Sequence, residues 1–384
     1  MEKVKLKDIC RLINGRAYKQ EELLDSGKYP VLRVGNFFSD KVFYYSDLEL
    51  EEDKYCDNGD LLFAWSASFG PKIWDGEKVI YHYHIWKMEL TDRVNKEFLF
   101  YYLFHLSERI KSEGHGGIMI HTTKAEMEER EFNLPTLEEQ IAISEILNKV
   151  MSVIDKRKEE LSVLDDLIKA RFVEMFGDAV ANPMNWPIKE LKDLSVQINS
   201  GNTPKGGSEN YVEEGIAFFR SQNVWKDCLK MDDIAYIDEE THAKMKRSSL
   251  KQGDILMTKT GRINTENSSL GRAALYMGED DMANVNGHVY FIRLKPEVNN
   301  KFVLRILVSD EYRDLIRSVC VGGIDKRQLN KEHIEDFPII CPPDYMVDKY
   351  VSFVEQVDKS KVAVQKALDE TQTLFDSLMQ EYFG

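Results

Sequence analysis

Arg, Asn and Gln can hydrogen-bond a flat, two-edged partner through paired donors and acceptors, and in this 384-residue chain they recur in short polar loops. Thr258-Lys259-Thr260-Gly261-Arg262-Ile263-Asn264 follows an apolar run. Gly322-Gly323-Ile324-Asp325-Lys326-Arg327-Gln328 is a second such loop, and Arg220-Ser221-Gln222-Asn223 a third. The first half of the chain offers Arg33 and Asn36, then Ser66 and Ser68 with Lys72, then His121, Thr122 and Lys124 behind Gly116-Gly117. Arg, Gln and Asn suit the edges of base pairs, whereas Lys, Ser and Thr suit phosphate oxygens. The expected partner of these loops is double-stranded DNA. Each loop also has a plain reading as a solvated turn, with its glycines as turn formers. The match of Arg33 with Arg220 fits a shared structural ion pair as well as a DNA contact.

Residues for catalysis do not assemble. His82 and His84 alternate along an expected strand and would share a face, as half of a metal site. Spacing places no third ligand, and no Cys-x-x-Cys occurs. An adenine methyltransferase would need an Asn/Asp-Pro-Pro-aromatic loop, which neither Asn182-Pro183-Met184-Asn185 nor Pro342-Pro343-Asp344-Tyr345 supplies. No phosphate-cradling G-x-x-x-x-G-K-S/T loop is present, and nothing places Gly114-His115-Gly116-Gly117 between a strand and a helix. No catalytic residue, metal or cofactor is therefore expected in this chain. The net charge of −15 opposes binding to phosphates, but binding depends on the local face rather than the whole-molecule sum. No stretch approaches the roughly 20 apolar residues that cross a bilayer. The five scattered cysteines, with no leader-like N-terminus, read as reduced thiols of a cytoplasmic protein.

The elements that carry these loops occur twice. Leu6-Lys7-Asp8 matches Leu191-Lys192-Asp193 at an offset of 185, and Leu32-Arg33-Val34-Gly35-Asn36 matches Phe219-Arg220-Ser221-Gln222-Asn223 at 187. Gly59-Asp60-Leu61-Leu62 matches Gly253-Asp254-Ile255-Leu256 at 194, His84-Ile85-Trp86 matches His288-Val289-Tyr290 at 204, and Phe176-Gly177 matches Phe383-Gly384 at 207. The order is kept and the offset only grows, which is the mark of a duplication whose second copy gained loop insertions. Strands are expected at 29–34, 60–65 and 79–90, and again at 216–220, 254–258 and 288–294; apolar helices are expected near 98–106 and 302–307.

Each copy then ends in about 40 residues of helix. Leu147, Ile154, Leu161, Ile168 and Met175 recur every seven residues, and a shift of 207 gives Val354, Lys361, Leu368, Phe375 and Tyr382. Arg157, Arg171 and Lys361 interrupt the seam. Burying like charges against each other is costly, so the two different helices are expected to pair with one another, antiparallel, as rods of roughly 60 Å. The fold class is α+β: two mixed α/β recognition domains separated by a two-helix antiparallel coiled coil, a pseudo-twofold internal repeat. The expected boundaries are 1–137 and 178–343 for the globular domains, 138–177 and 344–384 for the helices.

That arrangement resembles the specificity subunit of type I restriction–modification systems, over the whole chain. The most specific segment is Phe132-Asn133-Leu134-Pro135-Thr136-Leu137-Glu138-Glu139-Gln140-Ile141-Ala142, which looks like the family's junction of recognition domain and helix. The two Gly-Asp-apolar strand starts resemble it too. The second junction, Ile339-Ile340-Cys341-Pro342-Pro343-Asp344-Tyr345, departs from the pattern by lacking Leu-Glu-Glu-Gln. The resemblance implies that each domain reads one half of a split, asymmetric DNA site and that the helices set the spacing. It also implies docking of two modification (methyltransferase) subunits and of restriction (helicase-nuclease) subunits. S-adenosylmethionine, ATP and Mg would then belong to those partners. The competing reading is a non-catalytic coiled-coil adaptor for proteins, which the acidic charge suits.

Overall fold

A computed structural model describes residues 2–39, 41–66, 69–113, 122–263, 265, 267–323 and 326–384. The chain divides into two compact units, Met1–Glu159 with Val364–Gly384, and Glu160–Ala363.

In the first unit, an antiparallel sheet runs in the order Cys10–Asn14, Ile85–Leu90, Leu61–Ala64, Gly70–Ile73. A second sheet runs Tyr44–Ser46, Tyr29–Leu32, Val79–Tyr81, Tyr55–Cys56, with Tyr29–Leu32 and Val79–Tyr81 parallel. Leu61–Ala64 is buried at every position, which explains its unbroken apolar run. Helix Lys96–Glu113 is started by Asn95, whose Oδ1 accepts the Phe98 N–H at 2.9 Å, and it buries Phe98, Leu99 and Leu103 over the first sheet.

The second unit repeats this frame. Its sheets run Ser195–Ser200, Val289–Leu294, Ile255–Thr258, Ala273–Leu275, and Tyr211–Val212, Ala235–Ile237, Ile216–Phe219, Ala283–Val285. The parallel pair recurs as Ile216–Phe219 with Ala283–Val285. Asn299 caps helix Asn300–Val308 as Asn95 caps its counterpart. An insertion adds helix Glu239–Lys244, the counterpart of Lys96–Glu113 is split into Asn300–Val308 and Asp310–Val319, and a small sheet joins Thr260–Gly261, Arg327–Gln328 and Val321–Gly322.

One expected strand is corrected. Residues 79–90 form two strands parted by a turn at His82, Tyr83 and His84, closed by the Ile85 N–H on the His82 carbonyl at 2.9 Å. The two imidazoles therefore do not alternate along one strand.

The long helices are Leu137–Phe176 and Asp344–Phe383. Thr136 and Glu139 form a reciprocal cap: Thr136 Oγ1 accepts the Glu139 N–H at 3.3 Å, and Glu139 Oε2 accepts the Thr136 N–H at 2.8 Å. Gln140 is fully buried; it accepts from the Asn95 N–H at 2.7 Å and donates to the carbonyls of Arg93 and Pro135. The Thr-Leu-Glu-Glu-Gln segment thus fixes the helix to the domain before it. In the second copy the position of Gln140 is taken by Val347, which is buried by apolar packing.

The helices pair antiparallel within each unit. Leu147 and Ile154 pack with Phe375 and Met379 in the first, and Ile168 and Phe172 with Tyr350, Val354 and Val357 in the second. Two of the seam's polar residues find partners there: Lys361 meets Asp165 of the facing helix at 2.6 Å, and Arg171 lies 5.8 Å over the Phe353 ring. Within each unit the C-terminal end of one long helix packs on the globular domain. Phe383 packs on Phe98 at 5.3 Å between ring centroids, and Phe176 on Phe302 at 5.1 Å.

Candidate nucleic-acid interface

A shared lattice of backbone hydrogen bonds gathers the polar loops of each unit. In the second unit the Gly201 N–H donates to the Val289 carbonyl at 3.0 Å, the Asn286 N–H to Phe219 at 2.9 Å, and the Lys259 N–H to His288 at 2.9 Å. The first unit has the same three, from Gly15 to Ile85 (3.2 Å), His82 to Leu32 (2.9 Å) and Trp65 to His84 (3.1 Å). Gly15 and Gly201 are required by close approach: a Cβ would sit 2.2 Å from the Tyr81 carbonyl oxygen and 1.9 Å from that of Val285. Sequence reasoning misses these glycines, although Ile13-Asn14-Gly15 and Ile198-Asn199-Ser200-Gly201 give an offset of 186 that falls between its neighbours.

In the second unit the three expected loops meet. The Ser221 hydroxyl donates to the His288 carbonyl at 3.5 Å, and that carbonyl also takes the Lys259 N–H. The Leu329 N–H reaches the Lys259 carbonyl at 2.9 Å, while Thr260 pairs with Gln328 and Gly261 with Arg327 across the small sheet. Arg262, Lys326 and Gln328 are exposed on this surface. Lys259 stands 5.7 Å over the Tyr290 ring. Arg327 donates to the Cys320 carbonyl at 3.4 Å. Thr203 joins the group through the Gly287 N–H at 3.4 Å.

Other expected residues serve the fold. Asn36 and Asn223 are buried, and their amides donate inward, to the carbonyls of Lys41 and Val42 and of Lys230 and Asp233 respectively. Their match across the repeat reflects a conserved turn. Arg220 is held by Asp233 at 3.1 Å, as is Gln222 at 2.9 Å, and Arg33 lies 4.8 Å over Tyr44. The shared arginine is thus an anchoring residue, through an ion pair in one copy and an aromatic ring in the other. Ser66 and Thr122 are buried. Lys72 lies beside Trp74 and Asp75 and lines a cleft of about 530 Å³ that Asn36 also borders. Lys124 pairs with Glu128 on a short helix, Lys124–Glu128. Ser68, His121, Asn264 and the Gly114-His115-Gly116-Gly117 segment lie outside the described residues.

The two Gly-Asp turns have a structural role. Gly59 and Gly253 both adopt φ +89°, a conformation that favours glycine. Asp60 binds Lys87 at 2.7 Å, and Asp254, fully buried, holds Arg293 through both of its oxygens at 2.9 and 2.7 Å. Among the described residues no group of three or more His, Cys, Asp or Glu is placed to hold a metal ion. All five cysteines are free, and burial pushes their thiols up, Cys10 to about 12. No described helix is long and apolar enough to cross a membrane.

The family model described as type I restriction modification DNA specificity domain matches residues 1–164 and 183–371. The chain is similar to the type I restriction enzyme MjaVIII specificity subunit of Methanocaldococcus jannaschii, at 23% identity over 337 residues, 84% of this chain and 77% of that one. It is also similar to the type I restriction enzyme EcoBI specificity subunit of Escherichia coli, at 20% identity over 410 residues, 99% of this chain and 85% of that one. Its fold is similar to the crystal structure of the type I restriction–modification system S subunit from M. genitalium, with a TM-score of 0.55 at 16% identity, covering 100% of this chain and 96% of the other.

Proposed function

Since the chain belongs to the type I restriction modification DNA specificity family, we propose that it is the sequence-reading, non-catalytic subunit of a type I complex whose two units each read one half of a split DNA site. The observation that carries this reading is one lattice repeated with different residues at its tips. Two divergent readers suit an asymmetric site, whereas identical readers would suit a palindrome. The paired helices would set the half-site spacing and dock two modification subunits, with restriction subunits joining them. S-adenosylmethionine, ATP and Mg would act on those partners, in the cytoplasm.

The net charge of −15 adds a requirement. Each phosphate contact yields little in an acidic field, so the partner subunits must supply cations. DNA affinity is expected to rise sharply when the modification subunit is added, as measured by retardation of a duplex carrying the site. Equal affinity with and without it counts against this account. Methylome sequencing with and without the gene identifies the motif. Should no motif change its methylation, and Lys259→Glu with Arg262→Glu leave retention of DNA unaltered, the adaptor reading replaces this one.

A further inference from the structure

At three of four equivalent places the first unit carries a ring that the second lacks. Across the shared lattice Trp65 stands for Lys259, and His82, Tyr83 and His84 stand for Asn286, Gly287 and His288. Tyr83 is exposed at the head of its turn, with ring centroids 4.4 Å from His82 and 4.0 Å from His84. Trp65 lies edge-on to His84 at 4.9 Å, and its Nε1–H donates to the Tyr83 carbonyl at 2.9 Å. Below, Trp65 stacks on Trp86 at 5.8 Å and Trp86 on Phe63 at 5.9 Å, both core residues. An exposed ring is thereby anchored through a ladder of rings to the first unit's core, so little conformational freedom remains to be lost on contact.

The rings of the tip itself carry no charge to hold a phosphate. Burial, then His84 and Arg33, hold the His82 imidazole down at about 4, and burial also lowers His84. Both rings are neutral near pH 7, each with one donor and one acceptor. Of the nearby arginines, Arg16 is neutralised by Glu22 at 2.7 Å, while Arg33 lies over the Tyr44 ring and keeps its charge. Neutral donors, acceptors and a fixed apolar edge suit base pairs and base-pair steps.

Building on the DNA-reading function above, we propose that Tyr83 and His84, positioned by Trp65 and His82, form the base-contacting tip of the first unit: Tyr83 as a wedge against a base-pair step, His84 as the hydrogen-bonding group to a base edge. The base-contacting groups of this half-site are then uncharged, while the second unit reads its half through Lys259, Arg262 and Lys326.

The test uses the full chain bound to its modification subunit, with a pool of random duplexes to define the selected motif. In the Tyr83→Ala, His84→Ala double variant, one half of the motif becomes degenerate and the other half stays selected, which also shows that the chain is folded. Affinity for the parental site falls on the order of tenfold, and the dependence on salt stays parallel to that of the parent. His84→Gln, which keeps a donor and an acceptor, retains part of the selection. An unchanged motif and affinity overturns the proposal, as does loss of both halves, which marks the turn as structural only. A salt slope reduced by about 1 or more overturns it too, by assigning these residues to phosphate. If the parent complex itself selects no split motif, the underlying reading fails first.

Discussion

The two units solve the same folding problem with the same backbone and then diverge where the backbone ends its work. Glycines at positions 15 and 201, inward asparagines at 36 and 223, and aspartates at 60 and 254 recur with the same roles. Trp65 and Tyr83 correspond in the other copy to Lys259 and Gly287, while His84 corresponds to His288. A lattice made of main-chain hydrogen bonds leaves side chains at its tips free to vary, because they contribute little to holding it. Duplication followed by divergence of loops and tips gives one backbone frame two different surfaces.

The comparison can be broken first at the glycines. Gly15→Ala and Gly201→Ala each force a Cβ against a carbonyl oxygen. Both should cost at least about 3 kcal/mol in urea unfolding; tolerance at one site only would show that the lattices are not equivalent. The aspartates should then separate the units. Asp254→Ala strands Arg293 beside a carboxylate site that is 1% exposed and should cost about 3 kcal/mol. Asp60→Ala, whose side chain is 28% exposed, should cost about 1 kcal/mol. Equal losses would mean that the two turns carry the same burden.

A smaller effect concerns the tips. Lys259→Gln should lower the slope of log affinity against log salt by about 1, whereas Trp65→Phe at the equivalent place should leave the slope unchanged. The smallest effect is one of pH. His82 titrates at about 4 in the folded chain, against the ordinary histidine value of 6.5. Between these values the unfolded chain binds a proton that the folded chain refuses, so stability present above pH 6.5 declines as pH falls toward 4. His82→Asn, the residue of the second copy, should flatten the thermal-melting profile over that window. An unchanged profile would show that His82 is solvated.

Much of this was legible in the residues themselves. The growing offsets revealed the repeat, and the heptads with their misplaced cations revealed the antiparallel pairing, since Lys361 needs an acid such as Asp165 opposite it. The tips were harder to read. Asn36 and Asn223 matched because a turn needs an inward amide, and a base contact would have looked the same in sequence. The His82 turn was hidden inside an apolar run that reads as one strand, since nothing in residue types marks a turn closed by main-chain groups. Gln140 carried a pattern whose cause, a buried amide shared by three backbone partners, lies 45 residues away in the chain at Asn95.

The packing of helix ends has a consequence for assembly. Residues 1–177 alone would keep Phe98 without Phe383, and Phe176 without Phe302. Two copies of that half would complete one another, each filling the other's gap with its own terminal phenylalanine. Such a self-complementary dimer would carry one tip twice, and any duplex that it bound would be matched by a palindromic, twofold-symmetric sequence.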